Sequence, residues 1–316
     1  MKTLAITIGD PAGIGPEITL KAIQGMKGTC RFIVIGDGPV ITEAARLTGI
    51  ETTGLEVIET GYIRDSSFKR AEADADCGKA SASYIKKAVE LAQAGIVDAL
   101  VTAPINKEAL HLAGLRWHGH TEMLAELTDT RDYAMMLCGG PLRVILVTIH
   151  VPLSKVPSLL TIEAIERTIG LAHKACVMLN IERPKIAVAA LNPHAGEGGL
   201  FGNEERGIII PALQRARSRG ILASGPYPAD TLFHQAYRGD FDIVVCMYHD
   251  QGLIPLKMVS FDKGVNVTVG LPFLRTSPDH GTAYDIAWKN KANPSSMIEA
   301  IRLALEVTKS RETKGQ

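Results

Sequence analysis

The chain is poor in aromatic residues: Phe, Trp and Tyr make up 5% of its 316 positions. With 46% hydrophobic residues, its core must be mostly aliphatic, as in α/β proteins. It also lacks an excess of either charge, since 34 Lys and Arg balance 34 Asp and Glu. That balance offers no basic footprint for nucleic acid. Five cysteines (Cys30, Cys77, Cys138, Cys176 and Cys246) are scattered with no C-x-x-C pair. Such spacing suits a reducing cytosol better than a disulfide framework. No stretch approaches the roughly 20 apolar residues of a membrane span. The apolar run before Gly9-Asp10-Pro11 is too short for a signal peptide. Low-complexity tracts, internal repeats and evident linkers are missing as well. These absences predict a soluble, cytoplasmic protein that engages neither nucleic acid nor membrane.

What is present is alternation. Strand-like runs lie at Thr3–Ile8, Arg31–Ile35, Asp98–Thr102 and Val265–Val269. Helix-like periodicity covers Ser81–Ala94, with Gly95 as a stop, and Thr161–Leu179, with Thr161 as a candidate cap. Asn203–Arg219 and Ser295–Lys309 read the same way. Strands alternating with helices of this length imply βαβ units and a mainly parallel sheet. The length allows one large or two medium domains. The candidate seam is the polar stretch Thr128–Tyr133.

Three more apolar runs lead into histidines: Arg143 to His150, Lys185 to His194 and Asp242 to His249. Ligands of open α/β sheets bind beyond the carboxyl ends of the strands. Three imidazoles delivered there suggest a divalent metal with open coordination positions. His194 stands in Asn192-Pro193-His194-Ala195-Gly196-Glu197-Gly198-Gly199, a loop that needs unusual backbone angles. Asp250, beside His249, fits two roles: orienting an imidazole or capping the next helix.

Other segments carry chemistry less sharply. Gly9-Asp10-Pro11-Ala12-Gly13-Ile14-Gly15-Pro16-Glu17 follows a strand and reads as a tight strand-to-helix turn. Such turns expose backbone N–H groups to a phosphate or cofactor, although this one is not a clean G-x-G-x-x-G. His120 and Thr121, in Gly119-His120-Thr121-Glu122, either simply open a helix or hold an anion at its positive end. Lys257 and Arg275 flank Val265–Val269, which carries Asn266. Arg275 lies in an apolar setting that asks for a carboxylate or phosphate ligand. Asp230, in Pro228-Ala229-Asp230-Thr231-Leu232-Phe233, reads on its own as a helix N-cap.

Together these segments carry a resemblance. The first turn resembles that of isopropylmalate and isocitrate dehydrogenases. His280 to Pro294 (HGTAYDIAWKNKANP) resembles their loop for the adenosine half of the dinucleotide. More closely, GHTE, LNPHAGEGG, PADTLF, MYHDQG and GVNVTVGLPFLRTSPDHGTA resemble the 4-hydroxythreonine-4-phosphate dehydrogenase family, in order over nearly the whole chain. Within it, Gly9-Asp10-Pro11, Thr102-Ala103-Pro104-Ile105-Asn106-Lys107, Arg131 to Met136 and Tyr284 to Trp288 look like the branch that oxidises 4-phospho-D-threonate and 4-phospho-D-erythronate. The vitamin B6 branch typically has Gly-Glu-Pro and TGPVHK instead.

The resemblance implies an α/β, isocitrate/isopropylmalate dehydrogenase-like fold of two α/β/α domains with a cleft between them. Residues 1–130 plus about 280–316 would form the cofactor side, and about 131–279 the metal- and dimer-forming side. His150, His194 and His249 match metal ligands for Zn, Mg or Co, shared across a homodimer. His120, Thr121, Lys257, Asn266 and Arg275 match substrate-binding positions, and Asp230, a family motif residue, is a catalytic candidate with Lys257. Gly13, Asp285 and Asn293 fall on the cofactor segments. A carboxylate at Asp285 would bond the ribose hydroxyls and repel a 2′-phosphate, favouring NAD over NADP.

The implied reaction oxidises the carbon-3 hydroxyl of a small phosphorylated hydroxy acid with NAD, then releases carbon dioxide. From 4-phospho-D-threonate the product is dihydroxyacetone phosphate. Lys257 is the first candidate for proton transfer, or it binds an anionic end of the substrate. Other readings remain: the pyridoxal phosphate enzyme of the same family, a non-catalytic metal-dependent phosphometabolite carrier, and a metal-dependent aldolase.

Overall fold

The computed structural model of the chain describes residues 1–117 and 119–314. It divides into two compact units, Met1–Arg131 with Leu271–Gln316, and Asp132–Gly270. The first boundary lies in the polar stretch singled out above, and the second lies earlier than the position near 280.

The first unit begins with β1 (Thr3–Thr7), α1 (Gly15–Gly25), β2 (Arg31–Ile35), α2 (Gly38–Thr48), β3 (Glu56–Ile58), α3 (Ala75–Gln93), β4 (Ala99–Thr102), α4 (Lys107–Leu112) and α5 (His120–Leu127). The second unit follows with β5 (Ala134–Gly139), β6 (Leu142–Leu146), α6 (Val156–Leu159), α7 (Ile162–Met178) and β7 (Ile186–Ala189). It continues with α8 (Ile210–Ser218), β8 (Ala223–Tyr227), α9 (Ala229–Tyr237), β9 (Ile243–Cys246), α10 (His249–Val259) and β10 (Val265–Val269). The chain then returns to the first unit with β11 (Leu274–Pro278) and α11 (Ser295–Lys314).

In the first unit the strands run in the order β3-β2-β1-β4-β11, all parallel. Leu4, Ala5, Ile6, Leu100 and Val101 are fully buried. Strands covered on both faces read as continuous apolar runs, so the sequence shows no alternation there. Tyr84 and Ala80 of α3 pack with Ile33, Val34 and Ile35 of β2 in one cluster. The α3 helix starts at Ala75, ahead of the predicted Ser81, because Asp74 caps it by accepting from Asp76 N and Cys77 N. Such a cap is worth about 1 kcal/mol.

In the second unit the order is β10-β5-β6-β9-β7-β8. Here β6, β9, β7 and β8 are parallel, but β10–β5 and β5–β6 are antiparallel. The mainly parallel expectation therefore holds for the first unit and for only part of the second. The β5–β6 pair is a hairpin turning through Gly140 and Pro141. The Gly139-Gly140 dipeptide is the local signal for it. Thr161 caps α7 as expected, accepting from Ala164 N at 3.0 Å. Among the described residues no helix is long and apolar enough to cross a membrane.

Candidate active site

Two of the three histidines meet. β6 and β9 pair in parallel and in register up to Leu146 and Cys246. The pairing continues past the strands: Val147 N donates to Cys246 O at 2.9 Å, and Thr148 Oγ1 to Met247 O at 2.7 Å. This zip brings His150 and His249 to the same edge, with ring centroids 5.6 Å apart. Both line a cavity of about 400 Å³ with Thr148, Leu153, Tyr248 and Asp250. His249 is the first residue of α10, and its Nδ1 lies 2.7 Å from Asp250 Oδ1. A carboxylate on one ring nitrogen leaves Nε2 to face a ligand. Tyr248, not Asp250, holds the cap position of α10, so the orienting role is the one seen.

His194 behaves differently. After β7 the chain enters a turn in which His194, Ala195, Gly196, Glu197 and Gly198 are all left-handed, with φ from 41° to 79°. Left-handed backbone costs a residue with a side chain roughly 1–2 kcal/mol. The turn is held by Phe201 N to Gly196 O at 3.2 Å and by Arg206 Nη1 to Gly198 O at 2.9 Å. It carries the exposed imidazole toward Phe201, at 6.2 Å between centroids. Among the described residues no three His, Cys, Asp or Glu side chains gather as a cation site. Within one chain, then, His150 and His249 come together, and the left-handed turn leaves His194 exposed beside Phe201. As donors, the solvent-accessible imidazoles suit a divalent cation whose coordination is completed from elsewhere.

In the first unit the notable group is Arg275 on β11, 2% exposed. Its Nε and Nη2 both donate to Thr102 Oγ1 on β4, at 3.0 and 2.7 Å. Burial pushes the guanidinium down to about 9, still protonated at neutral pH. His120 opens α5, behind Gly119 as cap. Burial, then the nearby Arg275 charge, holds its imidazole well below the usual histidine range, so it is neutral. Its Nε2 is buried with no hydrogen-bond partner. An unbonded buried polar atom calls for a ligand or an ordered water. Thr121 is the buried second residue of the same helix.

The first glycine turn is closed. Asp10 N donates to Pro104 O, Ala12 N to Asp10 Oδ1, Gly13 N to Asp10 O and Ile14 N to Thr282 O, at 2.9 to 3.0 Å. Residues 8–20 are buried throughout. The expectation that this turn offers bare amides, Gly13's included, is therefore corrected: close packing has spent them. A Cβ on Gly15 would lie 2.1 Å from Ile8 O. The 280–294 loop is fastened to the turn, with Tyr284 Oη donating to Asp10 Oδ2 and Trp288 Nε1 to Pro11 O at 3.0 Å. Burial raises the Asp10 carboxyl to about 6, against the lowering bonds from Tyr284 and Ala12 N.

The remaining predicted residues sit as follows. Lys257 is in the last turn of α10, half-buried. Asn266, on β10, has a buried Oδ1 without a partner. Asp230 is the exposed second residue of α9; Pro228 holds the cap position, which corrects the N-cap reading. Asp285 is exposed. Asn293 accepts from Ser295 N and Ser295 Oγ at 3.0 and 2.7 Å, an Asx turn at the start of α11. Sequence reasoning missed Glu205, the Arg275–Thr102 anchor and the Asp10–Tyr284 bond. None has a local signature, because each joins residues far apart in the chain.

Comparison with known proteins places this arrangement. D-threonate 4-phosphate dehydrogenase of Salmonella typhimurium is 47% identical, over 97% of this chain and 99% of its own. The 4-hydroxythreonine-4-phosphate dehydrogenase of Desulfosudis oleivorans is 49% identical, over 96% and 95%. A crystal structure of 4-hydroxythreonine-4-phosphate dehydrogenase from Klebsiella pneumoniae superposes with TM-score 0.90 at 43% identity, covering 97% of this chain and 98% of its own. A β-decarboxylating dehydrogenase from Thermococcus kodakarensis, at 15% identity and TM-score 0.55, shares the fold, covering 94% and 81%. The chain is thus an α/β oxidoreductase acting on a CH–OH group, of the isocitrate/isopropylmalate dehydrogenase-like fold. The family described as pyridoxal phosphate biosynthetic protein PdxA matches residues 28–304, and the chain belongs to that family.

Proposed function

We propose that this protein oxidises the carbon-3 hydroxyl of 4-phospho-D-threonate or 4-phospho-D-erythronate with NAD and releases carbon dioxide, giving dihydroxyacetone phosphate. The carrying observation is the pair of a buried guanidinium, Arg275, and a neutral imidazole, His120, whose buried Nε2 has no partner. A cation and a neutral polar group buried together suit one end of a small anionic substrate. The branch reading is supported by Asp10 and Tyr284, two residues that set this chain apart from the B6 pattern and that bond each other.

When bound, a divalent cation would supply Lewis acidity and the nicotinamide a hydride acceptor. His150 and His249 would hold the cation, with Asp250 orienting His249, and His194 of a second subunit would complete the set. The displaced His194 supports this sharing. So do the apolar side chains exposed on the second unit, Leu153, Leu200, Met258 and Phe261 at 67 to 83% exposure, which a homodimer would cover. Arg275, His120 and Thr121 grip the phosphate or carboxylate, and Asn266 turns its free Oδ1 to a substrate hydroxyl. Lys257 moves the proton or binds an anionic end, and Asp230 belongs to the same site. Asp285 bonds the ribose hydroxyls and excludes a 2′-phosphate, with Asn293 later in the same loop. The five free cysteines suit a cytoplasmic setting.

The second reading, 4-hydroxythreonine-4-phosphate oxidation for pyridoxal phosphate synthesis, is favoured by the 49% identity to a relative of that name. One experiment separates them: NADH formation by purified protein with Zn, Mg or Co and each of the three substrates in turn. The proposal expects turnover with the two sugar-acid phosphates. Turnover with the amino acid phosphate alone would overturn it. Cleavage of substrate without NADH would point to an aldolase, and binding without turnover to a carrier.

A further inference from the structure

We propose that Glu205 is the positioning residue for His194: its buried carboxylate holds the exit of β7 so that the left-handed turn presents the imidazole outward. This rests on reading His194 as a cation ligand. The last bond of the sheet on this strand's exit is Ala190 N to Tyr227 O, 2.8 Å. The next two amides, of Leu191 and Asn192, both donate to Glu205 Oε1, at 2.9 and 2.8 Å. Asn192 Nδ2 donates to Glu205 Oε2 at 3.0 Å and to Glu204 Oε2 at 2.7 Å. Pro193 follows with no N–H to place, and then His194. Gln251 Nε2 holds the preceding Ala190 O at 2.7 Å, and beyond it the amides of Leu191 and Asn192 and the Asn192 side chain are held by Glu205 and its neighbour Glu204.

The same carboxylate touches the turn from inside. A Cβ on Gly196, where φ is 79°, would lie 2.7 Å from Glu205 Oε2. Glu205 is 1% exposed and begins a π-turn, Glu205–Ile209, that leads into α8. Turns of that kind are uncommon and collect at functional sites. A run of left-handed residues persists only when its surroundings over-determine it. Glu205 supplies that determination from a separate segment, without itself reaching a ligand.

The test uses the full-length protein and the variants His194→Ala, Glu205→Gln, Gly196→Ala and His194→Ala/Glu205→Gln. The readouts are Co²⁺ affinity, by competition with a chromophoric chelator, the thermal midpoint, and kcat and KM separately. Glu205→Gln keeps the side chain's shape but places an amide donor against Asn192. It should weaken Co²⁺ binding about 10- to 100-fold, the range for groups that orient a ligand. The KM for NAD should hardly move, and Gly196→Ala should reproduce the loss. In the His194→Ala background, Glu205→Gln should add nothing, because the interaction it supports is already gone. Co²⁺ affinity within about twofold of wild type in Glu205→Gln, or an equal loss in both backgrounds, would overturn the proposal. Should Glu205→Gln fail to fold, Gly196→Ala decides by the same criterion. Unchanged Co²⁺ affinity in His194→Ala alone would instead sink the ligand reading, a result visible without any Glu205 variant.

Discussion

Two glycine-rich strand exits, one in each unit, look alike in sequence and do opposite work. In the first unit, Gly9 to Gly15 leaves β1, is wholly buried and has the amides of Asp10, Ala12, Gly13 and Ile14 bonded within the chain. In the second, Asn192 to Gly199 leaves the region of β7, turns left-handed over His194 to Gly198 and keeps His194 exposed. Glycine serves close packing in one and backbone reversal in the other. The lesson is that a glycine cluster after a strand marks a special backbone, while its surroundings decide whether that backbone packs or presents.

The comparison can be broken most sharply at His194. Replacing it by Ala should weaken cation binding to a still measurable level and lower turnover by more than the about 100-fold expected for orienting groups. Because the ring is exposed, the thermal midpoint should stay within a few degrees of wild type. A variant that kept full activity would show that the left-handed turn presents nothing essential.

The buried turn offers the next effect, and it is a matter of pH. Folding raises the Asp10 carboxyl from 3.8 to about 6. Between those values the native state holds a proton that the unfolded chain has already released. Stability therefore falls as pH rises through this window, and the loss persists above it. Asp10→Asn removes the titration. Urea unfolding at pH 4 and pH 7 should show wild type losing up to about 3 kcal/mol relative to the variant. A constant difference at the two pH values would mean that the Tyr284 bond outweighs burial.

The smallest effects contrast the glycines themselves. Gly15→Ala drives a methyl into Ile8 O and should cost about 1–3 kcal/mol. At Gly198, φ is +65° and nothing lies within 4 Å of a new Cβ. Alanine there should cost about 1 kcal/mol, from backbone conformation alone. Equal losses in urea unfolding would erase the distinction between the packed and the presenting turn.

Much of the architecture was legible in the residues. β2 and β10 fall on the predicted bounds, and the Thr161 cap is where the sequence put it. Hydrophobic periodicity and capping are local, so they survive in any tertiary setting. Of the antiparallel β5–β6 hairpin only the run from Arg143 was legible, because pairing and strand direction depend on the partner strand. The candidate site divides along the same line. His150, His249, Arg275 and His120 could be named from their flanks, but Thr102, Glu205 and the Asp10–Tyr284 bond could not.

By itself, then, the sequence determined the aliphatic α/β character, the order of most elements and the set of imidazoles, amides and cations available for chemistry. Those follow from composition and near-neighbour spacing. Only the tertiary structure decided which of them meet. Parallel register between β6 and β9 joins His150 to His249, a left-handed turn takes His194 elsewhere, and close packing consumes the amides of the first turn. Each of those outcomes depends on hydrogen bonds and steric contacts between residues distant in the chain, which no local pattern encodes.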